Sequence, residues 1–195
     1  MQNAYQKRDY GSIKVYAGPM FCGKTTEVLR EMERGKYANL NVGLFKPVID
    51  TRYSVNKVVT HKKDSEQCQL VKNADDLLRQ VAEAPNFLQM VGIDEAQFLD
   101  RRIVEVCAQF RDEGRRVVAG GLDMDFQRKV FGPMGELMAI ADEVEKLKAV
   151  CKCGNDALFS KRRTQSQDQI QLGGADEYRA VCGSCYLKPE EDVQK

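Results

Sequence analysis

Short apolar runs along this chain are separated by longer stretches in which apolar residues recur at helical spacing. Ser12 to Ala17 (SIKVYA) reads as a buried strand ending at Gly18. Lys24 to Tyr37 places Val28, Leu29 and Met32 near helical spacing among polar residues, and predicts a helix. Val42 to Phe45 predicts a second strand, closed by Pro47. Asn73 to Ala84 predicts a helix whose first turn suits Asn73, Asp75 and Asp76. Phe87 to Ile93 reads as a strand, Leu99 to Arg111 as a helix, and Arg116 to Ala119 as a strand before Gly120 and Gly121. A helix over Gly135 to Ile140 and a last strand over Val144 to Val150 complete the series. Strands alternating with helices predict an α/β fold with a mostly parallel sheet.

From Cys151 onward the pattern changes. The stretch from Leu158 to Glu177 is polar, contains Gly173-Gly174, and is bracketed by cysteine pairs. The boundary is expected at about residue 150: a nucleotide-binding domain over 1–149 and a small metal-tied module over 150–195. The chain has seven cysteines, of which Cys151, Cys153, Cys182 and Cys185 form the two pairs. Cys182-Gly-Ser-Cys185 has the spacing of a zinc knuckle, and Cys151-Lys-Cys153 offers a tighter bite. Four thiolates leave no open position on a zinc ion, so such a site is structural. The alternative is four buried free thiols. Cys22, Cys68 and Cys107 are scattered and read as ordinary burial.

Charge narrows the functional classes. Lys+Arg number 30 and Asp+Glu 29, so nothing in the overall balance favours nucleic acid or an anionic membrane. No apolar run approaches the roughly 18–20 residues needed to cross a bilayer, and Met1 to Gly11 lacks a signal-peptide apolar region. A cytoplasmic protein is expected, without nucleic-acid or membrane partners. That compartment keeps thiols reduced, which favours metal over disulfide for the paired cysteines.

Two motifs carry the chemistry. Gly18-Pro19-Met20-Phe21-Cys22-Gly23-Lys24-Thr25 fits G-x-x-x-x-G-K-[ST], placed between an expected strand and an expected helix. There the glycines let backbone N–H groups and the helix N-terminus wrap phosphate oxygens. Lys24 reaches the β- and γ-phosphates of ATP, and the Thr25 hydroxyl takes Mg²⁺. The second motif is an apolar strand ending in Asp94-Glu95. Asp94 is the candidate for the Mg²⁺ side. Glu95, pointing the other way, can take a proton from an attacking hydroxyl or water. Together the motifs specify a nucleoside-triphosphate enzyme and leave open which of the two attacks. His61, the one histidine, lies among lysines and offers no catalytic partner.

The surrounding residues carry a resemblance. Gly18 to Thr25, Gly92-Ile-Asp-Glu-Ala-Gln-Phe98, Gly121-Leu-Asp-Met-Asp-Phe-Gln-Arg128, Phe131-Gly132 and Gly173-Gly-Ala-Asp-Glu-Tyr178 resemble the small, zinc-containing (type II) thymidine kinases. Asp50-Thr-Arg-Tyr53 and Ser160-Lys-Arg162 do so as well. The match runs from about Ile13 to Leu187. The resemblance implies a RecA-like P-loop domain carrying ATP and a zinc-held C-terminal lasso covering thymidine. It implies transfer of the γ-phosphate of ATP to the 5′-hydroxyl of thymidine, with deoxyuridine as a further substrate, in pyrimidine nucleotide salvage. It also implies a homotetramer inhibited by thymidine triphosphate.

By position, Glu95 matches the family's general base. Met20, Phe98, Leu122 and Phe126 match residues lining the base pocket, and Ser160 and Tyr178 match lasso residues near the base. Gln97 and Arg162 are polar contributors near the phosphates or the nucleoside, and Arg52 is a charge near the transferred phosphoryl group. The chain departs from the family pattern at Cys22, where Ser is more usual, at Ala96, where Gly is common, and at the cysteine pair Cys151-Lys-Cys153, one residue short of C-x-x-C.

Two rival classes remain at this stage: a P-loop ATPase that uses Glu95 to activate water, and a zinc-ribbon nucleic-acid binder. Asp168, Asp176 and Glu177 offset the basic residues of the lasso segment and argue against the second.

Overall fold

A computed structural model describes residues 10–49, 57–59, 65–163 and 173–189 of the chain. Among these residues, six parallel strands form one sheet in the order β5-β2-β6-β7-β1-β8. The strands are β1 (Ser12–Ala17), β2 (Val42–Pro47), β5 (Gln69–Val71), β6 (Met90–Ile93), β7 (Arg116–Gly121) and β8 (Glu143–Lys146). A short antiparallel pair, β3 (Lys57–Val59) with β4 (Ser65–Gln67), precedes β5.

Helix α1 (Lys24–Tyr37) buries Val28, Leu29 and Met32 on one face of the sheet, against Tyr16, Leu44, Met90 and Val118. Its close approach needs Gly92: a Cβ there would lie 2.6 Å from the Met32 sulfur. Helices α2 (Ala74–Ala82), α3 (Ile103–Asp112) and α4 (Met134–Ile140) cover the other face, where Leu77, Ile103, Phe110 and Leu137 pack with Ile13, Val15, Ile93 and Val117. Helices on both faces of a parallel sheet make the expected α/β fold. Central strands buried on both sides explain why they read as unbroken apolar runs.

Three expected elements differ most from the structure, and strands β3, β4 and β5 were not expected. The expected helix over Leu99 to Arg111 begins only at Ile103, after a 3-10 turn over Ala96–Phe98. Leu99 is extended, and the Asp100 carboxylate accepts from the amides of Ala74, at the start of α2, and Arg102, which holds this stretch out of the helix. The strand expected from Phe87 begins at Met90. The Leu88 carbonyl is taken by Arg115 instead, at 2.6 Å. The single strand expected over Val144 to Val150 is two: β8 pairs with β1, and β9 (Ala149–Val150) turns away to pair antiparallel with β10 (Asp156–Ala157). The chain leaves the main sheet after Leu147, whose amide still bonds the Ala17 carbonyl at 2.8 Å.

Beyond that departure, β11 (Phe159–Arg162) pairs antiparallel with β12 (Tyr178–Val181), and α5 (Gly183–Leu187) follows. Ala149, Cys151, Ala157, Val181, Cys182 and Cys185 form a buried cluster of their own.

Candidate active site

The site is assembled at the carboxyl ends of β1, β6 and β7, where ligands of open parallel sheets bind. After β1 the chain wraps through residues 18–23 into α1. Gly18 has φ 144°, and a Cβ there would lie 2.4 Å from the Leu147 carbonyl oxygen, so only glycine fits. Lys24 folds back over the loop and donates to the carbonyls of Gly18 (3.2 Å) and Pro19 (2.7 Å). Its ammonium is therefore tied to the loop's own carbonyls. Cys22 lies beside it, 3.8 Å from Nζ, and packs against the buried cluster of the cysteine module.

At the end of β6, Asp94 is buried, and the Thr25 hydroxyl donates to its carboxylate at 3.1 and 3.3 Å. β7 separates the strand of Asp94 from the strand of the phosphate loop. Glu95 takes up the left-handed conformation, φ 53° and ψ 41°. That conformation is uncommon outside glycine and asparagine and collects at functional sites. It turns the chain so that consecutive carboxylates serve different neighbours. Asp94 goes to Thr25, while Glu95 accepts from the Gln97 amide at 2.5 Å.

Gln97 is fully enclosed, and its other end accepts from the Leu122 amide at 3.0 Å. One side chain thus joins Glu95 to the loop after β7. The sequence suggested Gln97 for its polarity near ATP; the structure gives it this bridge as well. Asp123, next in that loop, is buried and ion-paired with Lys146 at 2.9 Å, a contact the sequence reading passed over.

Leu122, at the start of the loop that Gln97 ties to Glu95, belongs to an apolar cluster. Met20, Leu122, Phe131 and Tyr178 form a buried cluster, with Phe21, Phe98 and Phe126 against it. Phe98 meets Phe131 edge-on, at 5.7 Å and 85°. The structure therefore brings the expected Met20, Phe98, Leu122, Phe126 and Tyr178 together. It adds Phe131, which the sequence carried only within a matching segment. Phe21, expected on the ATP side, packs on this cluster.

Ser160 accepts from the Met20 amide at 2.9 Å. Arg162 is buried: its guanidinium lies 3.7 Å from the centre of the Phe126 ring and donates to the Tyr178 hydroxyl at 2.7 and 3.1 Å. Arg52 and His61 lie outside the described residues.

The ligand atoms of Cys151, Cys153, Cys182 and Cys185 all lie within 4.8 Å of one another. A tetrahedron of Zn–S bonds about 2.3 Å long puts its sulfurs about 3.8 Å apart; Cys153 and Cys182 stand at 3.6 Å. The short Cys151-Lys-Cys153 spacing still brings both thiols to the cluster, because the chain turns at once through Gly154, at φ 88°, where the Gly154 amide bonds the Cys151 carbonyl. The Asn155 backbone N–H and the neighbouring cysteines pull the Cys153 thiol down to about 6, while hydrogen bonding to Cys153 pushes Cys185 up to about 12. Four convergent sulfurs of this kind are compatible with a structural zinc.

A glycine-bearing loop in the G-x-x-x-x-G-K-[ST] pattern, a hydroxyl–carboxylate pair beside it, and a second carboxylate tied through Gln97 to the loop after β7 make up a P-loop nucleotide site. A thymidine kinase family model matches residues 11–186. The thymidine kinase of Bacteroides thetaiotaomicron is 45% identical over 192 residues, covering 97% of this chain and 94% of that protein. That of Porphyromonas gingivalis is 48% identical over 179 residues, covering 91% and 86%. That of Bacteroides fragilis is 44% identical over 192 residues, covering 97% and 94%. The chain belongs to the thymidine kinase family, and is a kinase. Among the described residues, no helix is long and apolar enough to cross a membrane.

Proposed function

We propose that this kinase transfers the γ-phosphate of ATP to the 5′-hydroxyl of thymidine, and also of deoxyuridine, with Glu95 as general base. The observation that carries the reading is the position of Glu95. It follows Asp94, which takes the Thr25 hydroxyl, and its own carboxylate is tied through Gln97 to the amide of Leu122, whose side chain packs with Met20, Phe131 and Tyr178.

In this reading the thymine ring lies among Met20, Phe98, Leu122, Phe126 and Tyr178, and the sugar reaches toward Glu95. Glu95 takes the 5′-hydroxyl proton as the O5′–Pγ bond forms and the bond from Pγ to the β–γ bridging oxygen breaks. ADP leaves with the electron pair. Lys24 leaves the carbonyls of Gly18 and Pro19 for the phosphate oxygens, where fixed positive charge counts most in the transition state. Thr25 and Asp94 would hold Mg²⁺, which neutralises phosphate charge when bound. Arg52 is assigned a charge near the transferred phosphoryl group on the resemblance alone.

The four cysteines would hold a zinc ion that cross-links the ends of the segment from Cys151 to Cys185. This supports a division into a kinase domain over 1–149 and a lasso over 150–195. The resemblance further supports a cytoplasmic homotetramer inhibited by thymidine triphosphate, which would occupy the same pocket through its base.

Product analysis with ATP labelled in the γ-position tests the proposal. Label should appear on the 5′-position of thymidine, one for one with ADP. ADP release that ignores thymidine would mean that water is the acceptor.

A further inference from the structure

The cysteine module touches the pocket through a residue outside every motif discussed so far. Tyr186 follows Cys185 in α5, and its amide bonds the Cys182 carbonyl at 2.9 Å. Its ring packs against Phe159, at 5.6 Å, and lies under the Arg128 guanidinium, at 4.5 Å. The Lys161 ammonium donates to its carbonyl at 3.1 Å. The side chain is thus gripped at backbone and ring. Its hydroxyl then leaves the module and donates to the carbonyl of Phe126 at 2.7 Å, across 60 residues of sequence.

Phe126 is one of the pocket residues, and its ring is covered by Arg162, which itself holds the Tyr178 hydroxyl. Its backbone is pinned by Tyr186 and its ring by Arg162, and both anchors belong to the C-terminal segment. The loop between Leu122 and Phe131 makes a turn of its own, with the Asp125 carboxylate accepting from the amides of Gln127 and Lys129. That turn also carries Arg128 over the Tyr186 ring, a contact that Tyr186→Phe leaves in place, so the variant isolates the hydroxyl bond.

We propose that Tyr186 is a positioning residue for the nucleoside site: through the Phe126 carbonyl it passes the order of the four-cysteine module to the pocket wall. The inference rests on the reading of Phe126 as a nucleoside-pocket residue. Cys182 stands at the start of the turn that carries Tyr186 and Cys185 lies within it, so loosening them frees the tyrosine, and freeing the tyrosine unpins Phe126. ATP binds in the phosphate loop and does not draw on this contact.

The test is Tyr186→Phe, which keeps the ring and removes the hydroxyl. With zinc content and melting temperature equal to the parent, KM and Kd for thymidine should rise about 2–10-fold, the effect of one lost hydrogen bond. KM for ATP and kcat should stay within about twofold of the parent, by the same reasoning. Calorimetric titration with thymidine, with and without bound zinc, completes a cycle. Stripping the metal should weaken thymidine binding by a smaller factor in Tyr186→Phe than in the parent, because part of the coupling is already gone. Unchanged thymidine affinity in Tyr186→Phe, or an equal effect of the metal in both proteins, overturns the proposal. Phe126→Ala separates the two layers. If it weakens thymidine binding while Tyr186→Phe does not, the coupling alone is wrong; if neither variant matters, the pocket reading fails with it.

Discussion

The amide of Met20, in the middle of the phosphate loop, donates to the hydroxyl of Ser160 on β11 at 2.9 Å, joining residues 140 positions apart. The phosphate loop and the C-terminal segment therefore share a buried hydrogen bond. Ser160→Ala leaves that amide without this acceptor in a buried setting, which should lower unfolding stability by about 1–3 kcal/mol. Ser160→Thr keeps the acceptor and should lose less. Denaturant unfolding of the two variants checks this; an alanine variant as stable as the parent would show that the bond contributes nothing.

Gln97 joins Glu95 to the Leu122 amide. Gln97→Met loses both bonds and should lower kcat by about 10–100-fold, the scale of a hydrogen bond to a charged group. Gln97→Glu keeps an acceptor for the Leu122 amide but sets a second carboxylate against Glu95. Two such groups hold one proton between them, so the base is free only at higher pH. The acidic limb of the pH–kcat profile should move up in both variants, since Gln97→Met also removes a donor to the Glu95 carboxylate, and further in Gln97→Glu. A profile unmoved in both would remove Glu95 from the titration.

The same residues mark how far the sequence could be read. α1 and β1 match their expected limits, because the phosphate-loop motif marks the junction between them and an amphipathic pattern runs the length of the helix. The break before α3 was hidden, since it involves the bond from the Ala74 amide to Asp100, 26 residues apart in sequence. β9 to β12 are two to four residues long, and pairings such as Arg162 with Tyr178 leave no local period to find. In the site, motif residues were legible by type and spacing. The contacts of Gln97 and Tyr186 were not, because each depends on a partner that only the fold supplies.

Burial pushes the Cys107 thiol, inside α3, up to about 12 from an ordinary value of 9.0. Below pH 9 both folded and unfolded chains keep the proton. Between the two values the unfolded chain loses it and the folded chain does not, so this group's contribution to stability falls as pH rises. The slope is about 1.4 kcal/mol per pH unit. Cys107→Val has no such proton. The stability difference between parent and variant should shift against the parent above pH 9, and a pH-independent difference would contradict the burial of the thiol.

The converging sulfurs of Cys151, Cys153, Cys182 and Cys185 should hold one zinc per chain. Cys182→Ser should lose it. Thymidine affinity should then fall more than ATP affinity, since Gly18 to Thr25 is built between β1 and α1 and meets the C-terminal segment at Cys22 and Met20, whereas Tyr178 lies within that segment and Phe126 is pinned by it. Metal analysis with separate titrations of the two substrates checks this; equal losses for both would mean that the metal supports the whole fold.

Glu95 stands in a left-handed turn directly after Asp94, with its carboxylate held by Gln97. The most direct measurement is single-turnover kinetics of Glu95→Gln alongside equilibrium binding of thymidine. The amide keeps the shape and cannot take the proton. The rate of phosphoryl transfer should fall by roughly 10²–10⁴ with thymidine affinity within a few-fold of the parent. An unchanged transfer rate would mean that another group accepts the proton, and would contradict the account.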